Sequence, residues 1–368
     1  MFFAVKGLTF MSNDFDHGGN VFAVARQLGV PPEEILDFSA SINPLGPPPG
    51  MREAVATAFD RLVHYPDSGC AELTAALARR HGVAPGNVCV ANGSTELIYL
   101  IPRLMPAGRA LLVAPTFSEY ARALAQTGWE CEHFRLSSED GFSFPFDALR
   151  RELVRGYGLL FFCNPGNPTG RLYCRGAVAA LLDLCREAGT LLVLDEAFMD
   201  FCEEESAKDL VVVSGAGVVL RSMTKFYAMP GLRLGYALAA APLAERLSMI
   251  RPPWSVGTLA QAAGLAALAD GGHAARTREF VDGERTFLAA GLAELPGVRV
   301  YPGAANYLLA RLDGGVTTAV LQERVLPERI LIRDCANFEG LDGRFFRVAV
   351  RGREENERLL AALGNLFT

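Results

Sequence analysis

The sequence predicts an α/β protein: a mostly parallel sheet with helices on both faces, joined to a smaller α+β domain. Three observations lead there. At roughly 150 residues per domain, 368 residues suffice for two cores. Half of them are hydrophobic and 21% charged, the balance of a packed chain and not of a disordered one. Between about residues 50 and 240, short β-rich runs alternate with amphipathic stretches, the pattern of strands joined by crossover helices.

Taken in order, residues 1–50 form an arm that belongs with the small domain and holds the Pro-rich turn NPLGPPPG, Asn43 to Gly50. Residues 51–255 form the large domain, with strands at Val88–Ala91, Ala110–Ala114, Leu159–Cys163, Leu191–Leu194, Val218–Leu220 and Leu234–Ala239. Helices fall at Cys70–His81, Ser118–Gln126 and Gly176–Ala188, each ending at or near a glycine that can adopt the left-handed cap. The pattern breaks at Pro252–Pro253. A helical stretch from Gly257 to Leu295, stopped by Pro296, then leads into strands and a last helix, Glu354–Leu366, making 256–368 the small domain.

Composition excludes several classes of function. With 35 Lys+Arg against 41 Asp+Glu the net charge is -6, so no positive field exists to neutralise a nucleic-acid backbone. Apolar runs stay short of the roughly 20 residues that span a bilayer. The start, MFFAVKGLTFMS, lacks the layout of a secretory signal, and Met11 is an alternative initiator. Eight cysteines without C-x-x-C spacing read as buried thiols in a reducing cytoplasm, and no metal is expected.

In an open parallel sheet, ligands bind beyond the carboxyl ends of the strands, and the informative residues all follow strands. Ser222, Lys225 and Arg233, in RSMTKFYAMPGLRLGY, bring a hydroxyl, an amine and a guanidinium to one strand end. A lysine beside other cations or in a dry pocket is disfavoured as ammonium, which frees the amine to attack an aldehyde. A solvated lysine is the ordinary alternative; its company changes the odds. Asp195 ends an apolar strand and needs a cationic partner, although a helix cap or ion pair would satisfy it equally. In NPGNPTG the Asn167 amide is free to donate. Gly93, Ser94 and Thr95 open a helix after a strand and can hold a phosphate. Phe117 can stack on a flat ring, or serve the core.

Together these parts describe one ligand: a flat cationic ring with an aldehyde, a phenolate and a phosphate, which is pyridoxal 5'-phosphate. The pattern resembles the fold-type I, aspartate-aminotransferase-like enzymes, and the resemblance covers nearly the whole chain. It implies a seven-stranded sheet, Lys225 as the Schiff-base lysine, Asp195 on the ring nitrogen, Asn167 on the phenolate oxygen and Phe117 on the ring face. It sets Gly93, Ser94, Thr95, Ser222 and Arg233 at the phosphate, with Tyr65 of HYPD reaching it from the partner of a homodimer. One departure is Phe198, where many relatives have a tyrosine that donates to the phenolate oxygen.

The segments DHGGN, DFSASINPLG, PPWSVGTLAQAA, YPGAANYLL and ILIRDCANFEGLD resemble the threonine-phosphate decarboxylases of cobalamin biosynthesis, the CobD family. That resemblance implies decarboxylation of O-phospho-L-threonine, with His17 a ligand of the substrate's phosphate, reaching across the dimer. Arg333 and Arg347 would anchor the acidic groups, with Ser41 and Asn43 alongside; Ser41 stands where the family's asparagine is expected. Surface arginines are the ordinary alternative, but strand alternation in FFRVAV turns Arg347 away from the exposed face. A rival enzyme reading is histidinol-phosphate aminotransferase, opposed by Phe198 and by the HGGN arm. A reading of another class, a regulatory or assembly protein on the same fold, is opposed by the intact lysine and cofactor shell.

Overall fold

The computed structural model describes residues 17–365; Asp16 of the arm motif, the alternative initiator Met11 and Leu366, the expected end of the last helix, lie outside the described residues. The large sheet is built from runs that are apolar on both faces. In chain order its strands are β1 (Val88–Ala91), β2 (Arg109–Ala114), β3 (Glu130–Arg135), β4 (Leu159–Cys163), β5 (Leu191–Asp195), β6 (Gly217–Ser222) and β7 (Gly235–Ala239). In space they run β1-β7-β6-β5-β4-β2-β3, every neighbouring pair parallel except the two made by β7. Alternation divides the side chains between two cores. Leu111, Val113, Leu160, Phe162, Leu192 and Leu194 enter one, while Ala110, Leu112, Leu159, Phe161 and Val193 enter the other. A sheet with a core on each face requires helices on both sides, as the sequence indicates.

Six of the seven strands fall within a residue or two of the expected ranges. The seventh, β3, was not expected from its sequence, ECEHFR, which is too polar to read as a buried strand. It can be polar because it is an edge strand, hydrogen-bonded only to β2 and partly exposed along its length. A second difference concerns the stretch from Gly257 to Leu295, which is two helices, Thr258–Ala269 and Gly271–Ala293. The break comes at Asp270, whose carboxylate accepts from the N–H groups of Gly272 and His273 and starts a new helix.

The remaining strands, Val298–Val300, Tyr307–Leu312, Arg333–Asp334 and Phe345–Ala349, form a four-stranded antiparallel sheet. The arm makes a separate two-stranded sheet, Leu36–Asp37 paired in parallel with Ile330–Leu331, and Val24, Ala25 and Ile35 pack with Leu326 and Leu331.

Register aligns the chemistry. Cys163 pairs with Asp195, Asp195 with Leu220, Ser222 with Gly235 and Gly235 with Ala91, so the loops after β1, β4, β5 and β6 leave one edge together. Gly235 makes that alignment possible. A Cβ there would stand 2.3 Å from the Ser94 nitrogen and 2.9 Å from the Arg221 carbonyl oxygen, both backbone atoms with no means of yielding. Gly235→Ala should therefore push the Gly93–Leu100 helix away from the edge. We expect a loss of about 1–3 kcal/mol in chemical denaturation, the range for overpacking, and an unchanged midpoint would contradict the contact.

Candidate active site

The cleft beyond this edge is lined by residues of the large-sheet loops, the N-terminal segment and the four-stranded sheet, which include His17, Ser41, Ser94, Thr95, Phe117, Asn167, Asp195, Ser222, Lys225, Arg233, Arg333 and Arg347. Lys225 lies in the one-turn helix Met223–Phe226, which begins immediately after β6 with Ser222 as its cap. Burial pushes its amine down, the guanidiniums of Arg233 and Arg347 push it further, and Asp195 only partly offsets them, so its pKa settles at about 8. Ordinary lysine stays charged far above neutrality; this one does not.

Asp195 is 4% exposed, and burial raises its carboxyl above the usual range against the opposing effects of Tyr120, the Ala197 N–H and Lys225. Tyr120 donates to Oδ2 at 2.5 Å and the Ala197 N–H to Oδ1 at 2.9 Å. Tyr120 is itself held by stacking on Phe161, with centroids 5.0 Å apart, and by an edge contact to Phe117 at 5.8 Å. A carboxylate so buried gains most from a cation placed against it, which a pyridinium nitrogen supplies.

The opposite corner suits a phosphate. The helix Gly93–Leu100 starts there with Ser94 and Thr95 in the cleft wall. Gly93 has φ +71, and a Cβ on it would lie 2.6 Å from Nη2 of Arg233, so only glycine lets the guanidinium close against the helix start. The hydroxyls of Ser222 and Thr224 are 2.7 Å apart in the same wall. Hydroxyls, a guanidinium and a helix N-terminus make a dianion site. This donor set, with the depressed lysine and the buried aspartate, fits pyridoxal phosphate.

The facing wall comes from the four-stranded sheet and the N-terminal segment. Arg347 donates through Nη1 to Oδ1 of Asn167 and through Nη2 to the Ser39 carbonyl oxygen at 3.0 Å, with its guanidinium 5.0 Å from the Tyr307 ring. Because the Asn167 oxygen is thus occupied, its NH2 is the end available to a ligand. Arg333 donates to Asn337 at 2.8 Å and lies over Phe338. The Ser41 hydroxyl is buried with no partner among the described residues, and Ser41 lines the cleft. His17 lines the cleft of its own chain, with Nε2 donating to Glu119 at 2.8 Å.

Three expected site residues are not in the cleft wall of their own chain; for Tyr65, assigned to the neighbour's site, that leaves the expectation standing, and Gly93 stays at the phosphate corner. Tyr65 is 81% exposed, outside the cleft wall, and stacks on Trp254 with centroids 4.8 Å apart. Asn43 faces away: its N–H donates to the Lys225 carbonyl, and its amide donates to the Phe226 carbonyl at 2.7 Å and to Thr277 at 3.0 Å. It tethers the lysine loop and does not reach into the cleft. Gly93 contributes its close approach to Arg233 and is not itself in the wall. Phe198 does line the cleft, meeting Tyr307 edge-on at 4.9 Å; the Tyr307 hydroxyl is used on the Gly166 carbonyl at 2.7 Å.

Sequence reasoning missed Tyr120, Thr224, Ser39 and Glu119. Thr224 was readable, since it sits between two chosen positions, Ser222 and Lys225. Tyr120 and Glu119 carried no such signal, because their partners are 75 and 102 positions away.

The family model for aminotransferase class I and II matches residues 33–363. A threonine-phosphate decarboxylase of Salmonella typhimurium is 43% identical over 96% of each chain. A histidinol-phosphate aminotransferase of Anaeromyxobacter is 36% identical over 95% of each. Among solved structures, L-threonine-O-3-phosphate decarboxylase from Porphyromonas gingivalis superposes with a TM-score of 0.80 at 27% identity, covering 89% of this chain and 98% of its own.

The depressed Lys225 gives a direct test. With a group whose charged form is lost on passing about pH 8, neutral amine accumulates well below the 10.5 of an ordinary lysine. In cofactor-free protein, acetylation of Lys225 by acetic anhydride, followed by peptide mass spectrometry, should rise to half its plateau near pH 8. A midpoint near 10.5 would remove the effect assigned to burial and the two guanidiniums.

Proposed function

Since the chain belongs to the aminotransferase class I and II family, we propose for it the reaction its cleft suits best. It is a pyridoxal-phosphate-dependent carboxy-lyase that converts O-phospho-L-threonine to (R)-1-amino-2-propanol O-2-phosphate and CO2, for cobalamin biosynthesis. One observation carries the reading: the cleft has more anion-binding side chains than a cofactor phosphate uses. Arg233 serves that phosphate with the hydroxyls and the helix start. Arg333, Arg347 and His17 remain in the same wall, a set for a substrate with two acidic groups, a carboxylate and a phosphate.

Pyridoxal phosphate, when bound, accepts the electron pair left on the substrate's α-carbon as a bond there breaks. Lys225 would hold its aldehyde carbon, Asp195 its ring nitrogen, Asn167 its phenolate oxygen and Phe117 its ring face. Gly93, Ser94, Thr95, Ser222 and Arg233 would hold its phosphate. The choice among the bonds at the α-carbon falls to the residues that grip the substrate, because two fixed anchor points set its rotation. Arg347 is itself fixed, by Asn167 and by the Ser39 carbonyl, so the carboxylate it receives has one orientation. Once the substrate's amino group has taken its place on the aldehyde carbon, the freed Lys225 amine, which changes protonation near pH 8, would be able to return a proton to the α-carbon as CO2 leaves, which balances the lost carboxylate. Phe198 offers no proton, and the Tyr307 hydroxyl behind it is already donated to Gly166.

The protein is proposed to work as a homodimer in the cytoplasm. Phe59, Leu62, Val63, Tyr65 and Trp254 expose an apolar surface beside the cleft-bearing domain, which supports a second copy covering it with Tyr65 turned to the neighbour's phosphate. The eight unpaired cysteines support a reducing compartment. No described helix is long and apolar enough to cross a membrane.

Two experiments test this reading. Incubated with O-phospho-L-threonine and pyridoxal phosphate, the protein should release one CO2 per amine phosphate formed, without a keto acid, and Lys225→Ala should abolish release. Turnover of histidinol phosphate with 2-oxoglutarate in place of CO2 release would overturn it. For the shared site, mixing inactive Lys225→Ala with an impaired Tyr65→Ala should restore about a quarter of wild-type activity, because a random mixture of dimers gives one intact site per hybrid. If mixing restores nothing, Tyr65 serves its own chain or no site.

A further inference from the structure

The arm that carries His17 is docked with unusual closeness. A Cβ on Gly18 would stand 2.0 Å from the Ser39 carbonyl oxygen, and the Gly19 N–H donates to the Ser39 hydroxyl at 2.8 Å. That same Ser39 carbonyl accepts from Arg347. The two glycines after His17 therefore clamp the arm to the wall that orients the substrate, and only then does the chain turn His17 across to the large domain. There the imidazole lies 5.5 Å from the Phe117 ring and reaches Glu119.

Glu119 is not in the cleft wall. It is 8% exposed behind it, at the start of the Glu119–Gln126 helix, and its two oxygens are fully engaged. Oε1 accepts from His17 at 2.8 Å and from Arg122 at 3.0 Å; Oε2 accepts from the Tyr99 hydroxyl at 2.6 Å. Tyr99 belongs to the Gly93–Leu100 helix whose start forms the phosphate corner. Burial pushes the Glu119 carboxyl up, but the hydrogen bonds from Tyr99 and His17 and the positive charges win, and it lies below the ordinary value. The Tyr99 phenol is driven the other way, to about 12, by its own burial and by Glu119.

We propose that Glu119 is a positioning residue for the substrate's phosphate: it takes the Nε2–H of His17 and holds the ring so that Nδ1 is the nitrogen left to the cleft. This rests on the decarboxylase reading above. An imidazole with Nε2–H committed to a carboxylate can donate to an anion through Nδ1 only as imidazolium, and the Glu119 carboxylate compensates that charge. Tyr99 and Arg122 fix the carboxylate in turn, so it accepts from His17 without swinging toward the incoming phosphate. Glu119 acts through His17 and touches no substrate atom.

The test uses Glu119→Gln in the holoenzyme, which keeps an acceptor oxygen and removes the charge. The KM for O-phospho-L-threonine should rise about tenfold, in line with the loss of one charge-assisted hydrogen bond, with kcat within about twofold. The dissociation constant of inorganic phosphate, measured calorimetrically on holoenzyme, should rise by a similar factor. In a His17→Gln background the same substitution should add almost nothing, since the partner through which it acts is gone. Tyr99→Phe, which leaves the carboxylate in place, should give a smaller rise and guards against a folding defect in Glu119→Gln. An unchanged KM and phosphate affinity, or a full-sized effect persisting without His17, would overturn the proposal. If wild-type protein binds phosphate with the stated dependence on Glu119 but releases no CO2 from phosphothreonine, the function is wrong and the positioning role stands.

Discussion

The structure turns on one electrostatic arrangement: an enclosed lysine amine facing two guanidiniums and one carboxylate. Lys225 would hold a stable charge in water, but here burial, Arg233 and Arg347 bring it to about pH 8, while the carboxylate of Asp195 keeps it from going lower. Each member of the set needs the others. Without Asp195 the cleft would be uniformly positive; without the lysine, Asp195 would be a buried carboxylate held only by Tyr120 and a backbone N–H. The arrangement tolerates its own cost because anionic ligands complete it.

Behind the cleft a second set of charges keeps the strand ends in place. Adjacent residues on a strand face opposite ways, so Asp195 and Ser222 line the cleft while Glu196 and Arg221 point behind it. Arg221, fully buried, reaches Glu196 at 3.3 Å and Asp200 at 3.4 Å and also pairs with Glu203. Burial lifts the carboxyls of Glu196 and Asp200 against the opposing charge of Arg221. Removing one partner would leave an uncompensated buried charge, which is why such clusters behave as units. They hold β5 and β6 together where the chemistry emerges.

The two walls of the cleft divide the work. The large domain presents the lysine, the aspartate and the phosphate corner, all on loops of one sheet edge. The four-stranded sheet and the N-terminal segment supply Arg333, Arg347 and His17, and the Ser39 carbonyl links two of these pieces, receiving Arg347 and packed by Gly18. The arm reaches back to the large sheet's loops at two points, His17 through Glu119 and Asn43 through the Lys225 and Phe226 carbonyls.

How much of this could be read from sequence follows from the range of the interactions. Six strands were legible because each is a short apolar run buried on both faces, and the loops after them because Asp195, Asn167, Lys225 and Arg233 keep recognisable neighbours. The edge strand Glu130–Arg135 was hidden, since an edge has no second neighbour to demand apolar residues. Asn43 illustrates the converse, a polar residue in a telling motif whose side chain tethers the Lys225 loop. The pairings Tyr120 with Asp195 and Glu119 with His17 exist only once distant segments meet at the strand ends, and no local pattern encodes them. Local hydrophobic and turn chemistry therefore determined the elements and the cofactor loops; long-range packing alone decided which buried donors hold Asp195 and His17, because a hydrogen bond is specified by distance and angle and not by spacing along the chain.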